Sequence, residues 1–357
     1  MSTQISAPRR LGGLIALLIV LACGTPAQRT GAPIPASPGG AGTPDQAAGA
    51  PAPAAPSPPA KLLVGRAGSG TAPQFWPGYV AIKLGYFTQE GLDFETLAIP
   101  SAYTLTQSLI AGDMQVINYT VLSMAAAVVA GAPLKMVASA QDLPNLQVIA
   151  APEIRSWADF RGKTLGSGNS AGDYFDVALR LMLAANGLHE SDVTIRTMSS
   201  TTRLPSLLAG QIAGAIMSEN DAAHALEVGN KSLGFVGEYV KDLQYSGYLV
   251  SDHWARANEG TLLRFLRGML RGAAWVFDPA NKDEALRIYA EVSDLDLDQV
   301  EEIYHNMITR QMLSRDLRPN MKGIENVVTV AYQQGALTEI PPLERWVDLS
   351  YLDKASR

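Results

Sequence analysis

The sequence predicts an α/β protein of two lobes, each a sheet flanked by helices, ending in a helical run. Three observations carry that reading. From Lys61 onward, short apolar, β-branched runs alternate with amphipathic stretches, the pattern of strands covered by helices. One segment is echoed without gaps 98 residues later. From Asn258 onward strand signals thin out and helical ones dominate. At 357 residues the chain exceeds the roughly 250 at which a single core stops growing, so two lobes fit its length.

Taken in order, the chain opens on Arg9 and Arg10 followed by LGGLIALLIVLA, Leu11 to Ala22, the charged-then-apolar layout of a secretory signal. A helix spanning a bilayer needs about 20 apolar residues, and here Cys23 and a polar, Pro-rich tract end the run first. Residues 1–22 therefore read as a signal peptide. Val20-Leu21-Ala22-Cys23 resembles a lipobox, in which the cysteine sulfur receives a lipid and cleavage leaves Cys23 as the first residue; the other reading is ordinary signal cleavage beside an incidental cysteine. Gly24 to Ala60 holds ten of the 22 prolines, two charges (Arg29, Asp45) and almost no large apolar side chain, so it cannot bury enough surface to offset its ordering entropy. Residues 23–60 are thus expected to be a lipidated cysteine and a disordered tether. The protein is expected outside the cytoplasm, anchored to the cell membrane by that lipid.

Strands are expected at Leu62 to Arg66, Leu92 to Ala98, Met114 to Asn118, Leu134 to Ala138, Leu146 to Ala150, Thr164 to Gly166, Thr194 to Met198, Gly214 to Met217, Leu233 to Gly237 and Gly247 to Val250, arranged in parallel sheets. The closing helices are TLLRFLRGMLRGAAWVF, KDEALRIYAEV, LDQVEEIYHNMI and MKGIENVVTVAYQQGA. In the echo, Ser108, Leu109, Ala111, Gly112, Ala125, Ala127 and Gly131 fall on Ser206, Leu207, Ala209, Gly210, Ala223, Ala225 and Gly229. Both copies read as helix end, glycine turn, strand, helix, glycine stop. Any two αβα units share such small residues; the alternative is one α/β lobe duplicated. In that case Asn118-Tyr119-Thr120 and Met217-Ser218-Glu219 occupy equivalent strand ends, and ligands of open sheets bind outside such carboxyl ends.

Composition excludes several functions. A net charge of −6, spread along the chain, gives nucleic acid and anionic lipid nothing to bind. A lone cysteine allows no intramolecular disulfide and no cysteine-built metal or iron–sulfur site. His189, His224, His253 and His305 form no HxxH or HExxH pattern, and no GxSxG, Walker A or GxGxxG stands at a strand–helix junction. No cofactor or metal is expected.

The stretches FWPGYVAIKLGYFTQEGLDFE, LIAGDMQVINY, VAGAPLKMVAS, SWADFRGKTLGSGNSAGDYF and LLAGQIAGAIMS, within Leu62 to Asp252, resemble the nitrate/sulfonate/taurine-type substrate-binding proteins of ABC importers. Ile82-Lys83-Leu84-Gly85-Tyr86-Phe87 and Glu90-Gly91-Leu92 carry the most specific part. Where that family has aspartate three residues after each echo glycine, this chain has Gln115 and Ala213. The resemblance implies a periplasmic-binding-protein-like fold of type II, with one lobe formed by 61–142 plus 248–357, the other by 143–247, and a cleft that closes on its solute. It implies a monomer that captures a small organic molecule (sulfonate, carboxylate or pyrimidine-like), delivers it to a membrane permease and catalyses nothing. Two other readings stay open: an enzyme on the same fold, such as the pyrimidine-precursor synthase of thiamine biosynthesis, and a sensor that presents its ligand to a receptor.

Candidate ligand-binding residues follow. Gln74, Phe75 and Trp76 lie in a Gly/Pro-bounded loop where an aromatic face lines a pocket or packs on the lobe, and Tyr79 begins the next helix. Asn118, Tyr119, Thr120 and Ser139 lie at the ends of first-lobe strands. Asn169, Ser170 and Asp173 open a helix whose first-turn N–H groups suit an anion, with Asn169 or Ser170 as its N-cap. Thr201 and Arg203 begin another helix, and Arg203 is the natural partner of a carboxylate or sulfonate, or else a surface arginine. Ser218, Glu219 and Asn220 complete the set, Glu219 favouring an amine or ring donor if it faces the cleft.

Overall fold

The computed structural model describes residues 58–67, 71–99 and 102–357. The signal segment 1–22, Cys23 and most of the tether lie outside them.

Each expected strand forms: β1 Ala60–Ala67, β2 Leu92–Ile99, β3 Val116–Thr120, β4 Leu134–Gln141, β5 Leu146–Ala150, β6 Thr164–Gly166, β7 Thr194–Arg196, β8 Gly214–Ser218, β9 Lys231–Phe235 and β10 Ser246–Ser251. They make two sheets, ordered β2-β1-β3-β10-β4 and β7-β6-β8-β5-β9. The expectation of parallel sheets needs correction. β1 runs parallel to β2 and β3, and β6 to β7 and β8. β10, however, lies antiparallel between β3 and β4, and β5 antiparallel to β8 and β9.

The cause is the path of the chain. It leaves the first sheet at the carboxyl end of β4 and enters the second at the carboxyl end of β8, where Leu146 pairs with Ser218. It returns at the carboxyl ends of β3 and β4, where Ser246 pairs with Thr120 and Gln141. A strand entering at that edge must run against its neighbours.

The two sheets have the same strand order, and the echoed segments hold the same place in each. β3 and β8 are each third in their sheet and 98 residues apart. Each is followed by a nine-residue helix, Val121–Val129 or Glu219–Glu227. Gly131 and Gly229 then stop those helices at φ 90° and 93°, a left-handed conformation that costs glycine little. Gln115 accepts a 2.8 Å hydrogen bond from the Leu63 amide and donates one of 3.1 Å to the Gly112 carbonyl, tying the entry of β3 to β1.

The helical end forms as Glu259–Val276, Lys282–Ser293, Leu297–Tyr304 and Met321–Gln333. The first buries Leu262, Phe265, Leu266, Met269, Ala273 and Val276, a stripe at helical spacing, against the first sheet and the helix Trp76–Lys83. Asp296 and Asn320 cap the third and fourth by accepting the amides of Gln299 and Gly323, each at 2.9 Å.

Two short segments cross between the sheets. Asp142 to Asn145 join β4 to β5, and Gln244 and Tyr245 lead into β10. The Tyr245 amide donates to the Asp142 carbonyl at 2.9 Å. The fully buried Gln244 carboxamide donates to Ser139 Oγ (2.9 Å), the Gln141 carbonyl (2.9 Å) and the Ser246 carbonyl (3.0 Å), and accepts the Asn320 amide at 2.7 Å. Both ends of one side chain are thereby used to lock the crossings to each other and to the C-terminal helix that Asn320 caps.

Candidate functional site

A cavity of about 470 Å³ opens where the carboxyl ends of both sheets meet the crossings. Thr71, Pro73 and Gln74, from the loop after β1, form one side; the Thr71 hydroxyl holds that loop to the C-terminal helices through the Val292 carbonyl at 2.8 Å. Gln141, Pro144, Asn145 and Tyr245 come from the crossings and the end of β4, Leu146, Phe175 and Ser218 from the second lobe. Tyr289, Ser293, Leu295, Ile303 and Met307 close the remaining wall. The volume falls within the roughly 300–1,000 Å³ of small-molecule sites.

The lining is aromatic and amide-rich. Among the described residues that line it there is no Asp, Glu, Lys, Arg or His. Tyr245 meets Tyr174 edge-to-face at 4.8 Å, and burial raises the pKa of both phenols. Asn145 is distinctive: both its Oδ1 and its Nδ2 are buried and meet no hydrogen-bonding partner among the described residues.

Of the residues named from sequence, Gln74 and Ser218 line this cavity. Trp76 does not: it is fully buried, stacked on Tyr289 at 4.2 Å and edge-on to Tyr304 at 5.7 Å. It backs the ring that does line the cavity. Phe75 is likewise buried, between Tyr79 and Phe94. The Tyr79 hydroxyl accepts the Ala72 amide at 3.1 Å, which fixes the loop; burial raises its pKa, and the Ala72 bond and Arg66 oppose that.

Tyr119 and Thr120, expected just beyond the strand that ends at Asn118, lie within β3, because the strand begins and ends two residues later than expected. Asn118 is buried and donates to the Gly247 carbonyl at 3.5 Å. Thr120 caps the following helix through the Ser123 amide. Ser139, fully buried in β4, donates to Asp142 at 2.6 Å and belongs to the crossing network, not to the cavity wall.

The expected anion cradle is filled by the chain itself. Asp173, not Asn169 or Ser170, caps the helix Tyr174–Ala185, accepting the Asp176 amide at 3.0 Å and the Ser170 amide at 3.1 Å. Asp176 accepts the Gly172 amide at 2.8 Å. A Cβ on Gly168 would lie 1.7 Å from the Asp173 carboxylate, so only glycine admits this cap. Asn169 and Ser170 are exposed, as is Thr201, whose hydroxyl pairs with Ser199 at 3.0 Å.

Arg203 is neither a surface residue nor a member of the cavity wall. It is buried, donates to the carbonyls of Ile216 (2.7 Å) and Met198 (3.4 Å), and lies 4.7 Å from the ring of Phe175. Burial lowers its pKa, with Asp173 and Asp221 acting the other way. Like Trp76, it stands behind an aromatic ring of the wall. The side chains of Glu219 and Asn220 lie outside the described residues.

Sequence reasoning missed Tyr245, Tyr289, Phe175 and Asn145. Pro144-Asn145 was visible as a turn between two strands; Tyr289 was hidden in an amphipathic helix that reads as plain core. Among the described residues no cluster of His, Cys, Asp or Glu is placed to hold a metal ion, and no helix is long and apolar enough to cross a membrane.

Residues 72–282, more than half of the chain, match the family described as NMT1/THI5 like. The chain belongs to the NMT1/THI5-like family. A curated relative, the riboflavin-binding protein RibY of Chloroflexus aurantiacus, is 27% identical over 242 residues, covering 63% of this chain and 66% of RibY, a little under two thirds of that relative. The periplasmic sulfonate-binding protein SsuA of Methylobacillus flagellatus superposes with a TM-score of 0.70 at 13% identity, covering 84% of this chain and 94% of its own. The desulfurization enzyme DSZB superposes with a TM-score of 0.59 at 14% identity, covering 83% of this chain and 99% of its own. At such identities the likeness to solved structures shows the fold alone: the two-lobed architecture of periplasmic binding proteins, which this family member shares with an enzyme as well as with a binder.

Proposed function

We propose that this protein is an extracytoplasmic solute-binding lipoprotein that captures a small organic molecule and delivers it to the permease of an ABC importer. The bodies that close would be 61–142 with 248–357 and 143–247, moving about the two crossings. One observation carries the reading: the cavity is built jointly by both sheets, both crossings and the C-terminal helices, so a molecule held there touches both lobes. The importer role is supported by the likeness to SsuA, the periplasmic sulfonate-binding protein of an ABC transporter, and the export and lipid anchor by the sequence from Arg9 to Cys23.

The wall narrows the three solute classes. With no charged side chain among its described lining residues, and with Asp173 and Asp176 already occupying the nearby helix terminus, it suits a neutral, pyrimidine-like ring better than a sulfonate or carboxylate. RibY is a riboflavin-binding protein, which makes riboflavin the first solute to try.

In the test, riboflavin, uracil, taurine and nitrate are each added to the purified protein, and the melting temperature and the chemical identity of the added compound are followed together. Binding predicts a concentration-dependent rise in melting temperature with the compound recovered unchanged. Conversion of the compound would instead support the enzyme reading that DSZB exemplifies on this fold.

A further inference from the structure

Asn145 has no role in holding the fold together that its hydrogen bonds reveal. Both ends of its carboxamide are buried, and neither meets a partner among the described residues. Burying an unpaired amide is costly, since each orphaned group forfeits its bonds to water. Among the described residues lining the cavity, Asn145 is the one in which a donor and an acceptor are both left so.

Its position adds to this. Asn145 ends the first crossing, directly before Leu146 pairs with Ser218, and the crossing backbone is fixed by the Tyr245 amide and by Gln141 Nε2, which donates to the Leu143 carbonyl at 2.7 Å. Asn145 therefore lines the cavity from the end of a crossing whose backbone is held in place, with its two carboxamide atoms buried just behind that wall. Phe175, Tyr245 and Tyr289 supply flat faces around the same cavity.

We infer that Asn145 is the specificity-determining residue of the cavity and that the solute is a neutral cyclic amide or imide, whose adjacent ring N–H and C=O pair with Asn145 Oδ1 and Nδ2. This rests on the capture reading above and deepens it. A carboxamide and a lactam edge are complementary, donor to acceptor and acceptor to donor, as in base pairing. A sulfonate offers acceptors only and would leave Asn145 Oδ1 unpaired; an ammonium offers donors only and would leave Nδ2 unpaired. A site that hydrogen-bonds its substrate rejects analogues lacking the matching group, because its own polar atoms are then stranded.

The test uses the full chain, with riboflavin, whose ring carries an imide, and 3-methylriboflavin, in which the imide N–H is replaced by N–CH3. Wild type should bind riboflavin at least about tenfold more tightly than the methylated analogue. Asn145→Leu should lose about tenfold or more for riboflavin and bind the two flavins alike, while its ligand-free melting temperature stays level or rises. Equal affinity of wild type for both flavins, or unchanged riboflavin binding by Asn145→Leu, overturns the inference and leaves solute capture standing. Should the leucine variant not fold, the comparison of the two flavins on wild type decides alone. If wild type ignores riboflavin, uracil and thymine but is stabilised by taurine or nitrate, the inference also falls and capture stands. If none of these raises the melting temperature, both fall.

Discussion

The indole of Trp76 stacks on the phenol ring of Tyr289 with centroids 4.2 Å apart and planes at 29°. Trp76 is fully buried, whereas Tyr289 also faces the cavity, so one ring pair links the core of the first lobe to the site. The pair has a measurable signature.

Trp76→Ala should cost about 3–5 kcal/mol of stability, the usual range for removing a large aromatic from a core, and should weaken solute binding through the loss of support behind Tyr289. Trp76→Phe keeps a stacked ring and removes the buried, unpartnered Nε1, so its cost should stay below about 2 kcal/mol. Urea denaturation of both variants, paired with solute titration, checks this. Weakened binding without any loss of stability in Trp76→Ala would show that the indole contacts the solute directly.

Gln244→Met preserves volume but removes every bond the carboxamide makes to Ser139, Gln141, Ser246 and Asn320. Stranding those buried groups should lower stability by about 2–3 kcal/mol. Because the lost bonds join the two crossings and the C-terminal helices, amide hydrogen exchange should rise first around residues 139–146 and 244–247, ahead of the sheet centres. Uniform acceleration across the protein would mean that Gln244 acts on global stability only.

Asp142 supplies a pH dependence. Burial raises its pKa from 3.8 to about 6; the hydrogen bond from Ser139 and the nearby Gln244 amide oppose the rise and the charge of Asp316 adds to it. Below about pH 4 the group is protonated whether the chain is folded or not, and it costs the fold nothing. As pH rises through the window from 4 to 6 the folded chain holds the proton longer than the unfolded one, so stability falls, and above about 6 it levels off. The loss should be about 3 kcal/mol. Asp142→Asn should match wild type near pH 4 and exceed it near pH 7.5 by about that amount in urea denaturation. Parallel profiles for the two proteins would contradict the assignment.

Much of this fold was written locally. The strands are short apolar, β-branched runs bounded by Gly, Pro or polar residues, and each was found within a few positions. The directions of β5 and β10 were not, because nothing in LQVIA or SGYLVS records where the chain has just come from. The echo was legible because a strand followed by a helix stopped at Gly131 or Gly229 needs the same small residues in each copy. At the site, Gln74 and Ser218 were legible as polar residues at strand exits. Trp76 and Arg203 misled for opposite reasons: an aromatic between Phe75 and Pro77 has one sequence signature whether it faces inward or outward, and an arginine in a first helical turn ordinarily points to water. Neither sequence pattern says that a second ring will stand in front.

The C-terminal helices give the cavity Tyr289, Ser293, Leu295, Ile303 and Met307, and all five lie beyond residue 282, where the match to the NMT1/THI5-like family stops. Membership of that family therefore speaks for most of one side of the chamber, Thr71 excepted, and is silent about the other. Two proteins with the same matched segment can differ in this wall and so choose different solutes, and a ligand assigned to this chain from its family alone would be assigned with six of the fifteen described lining residues unread.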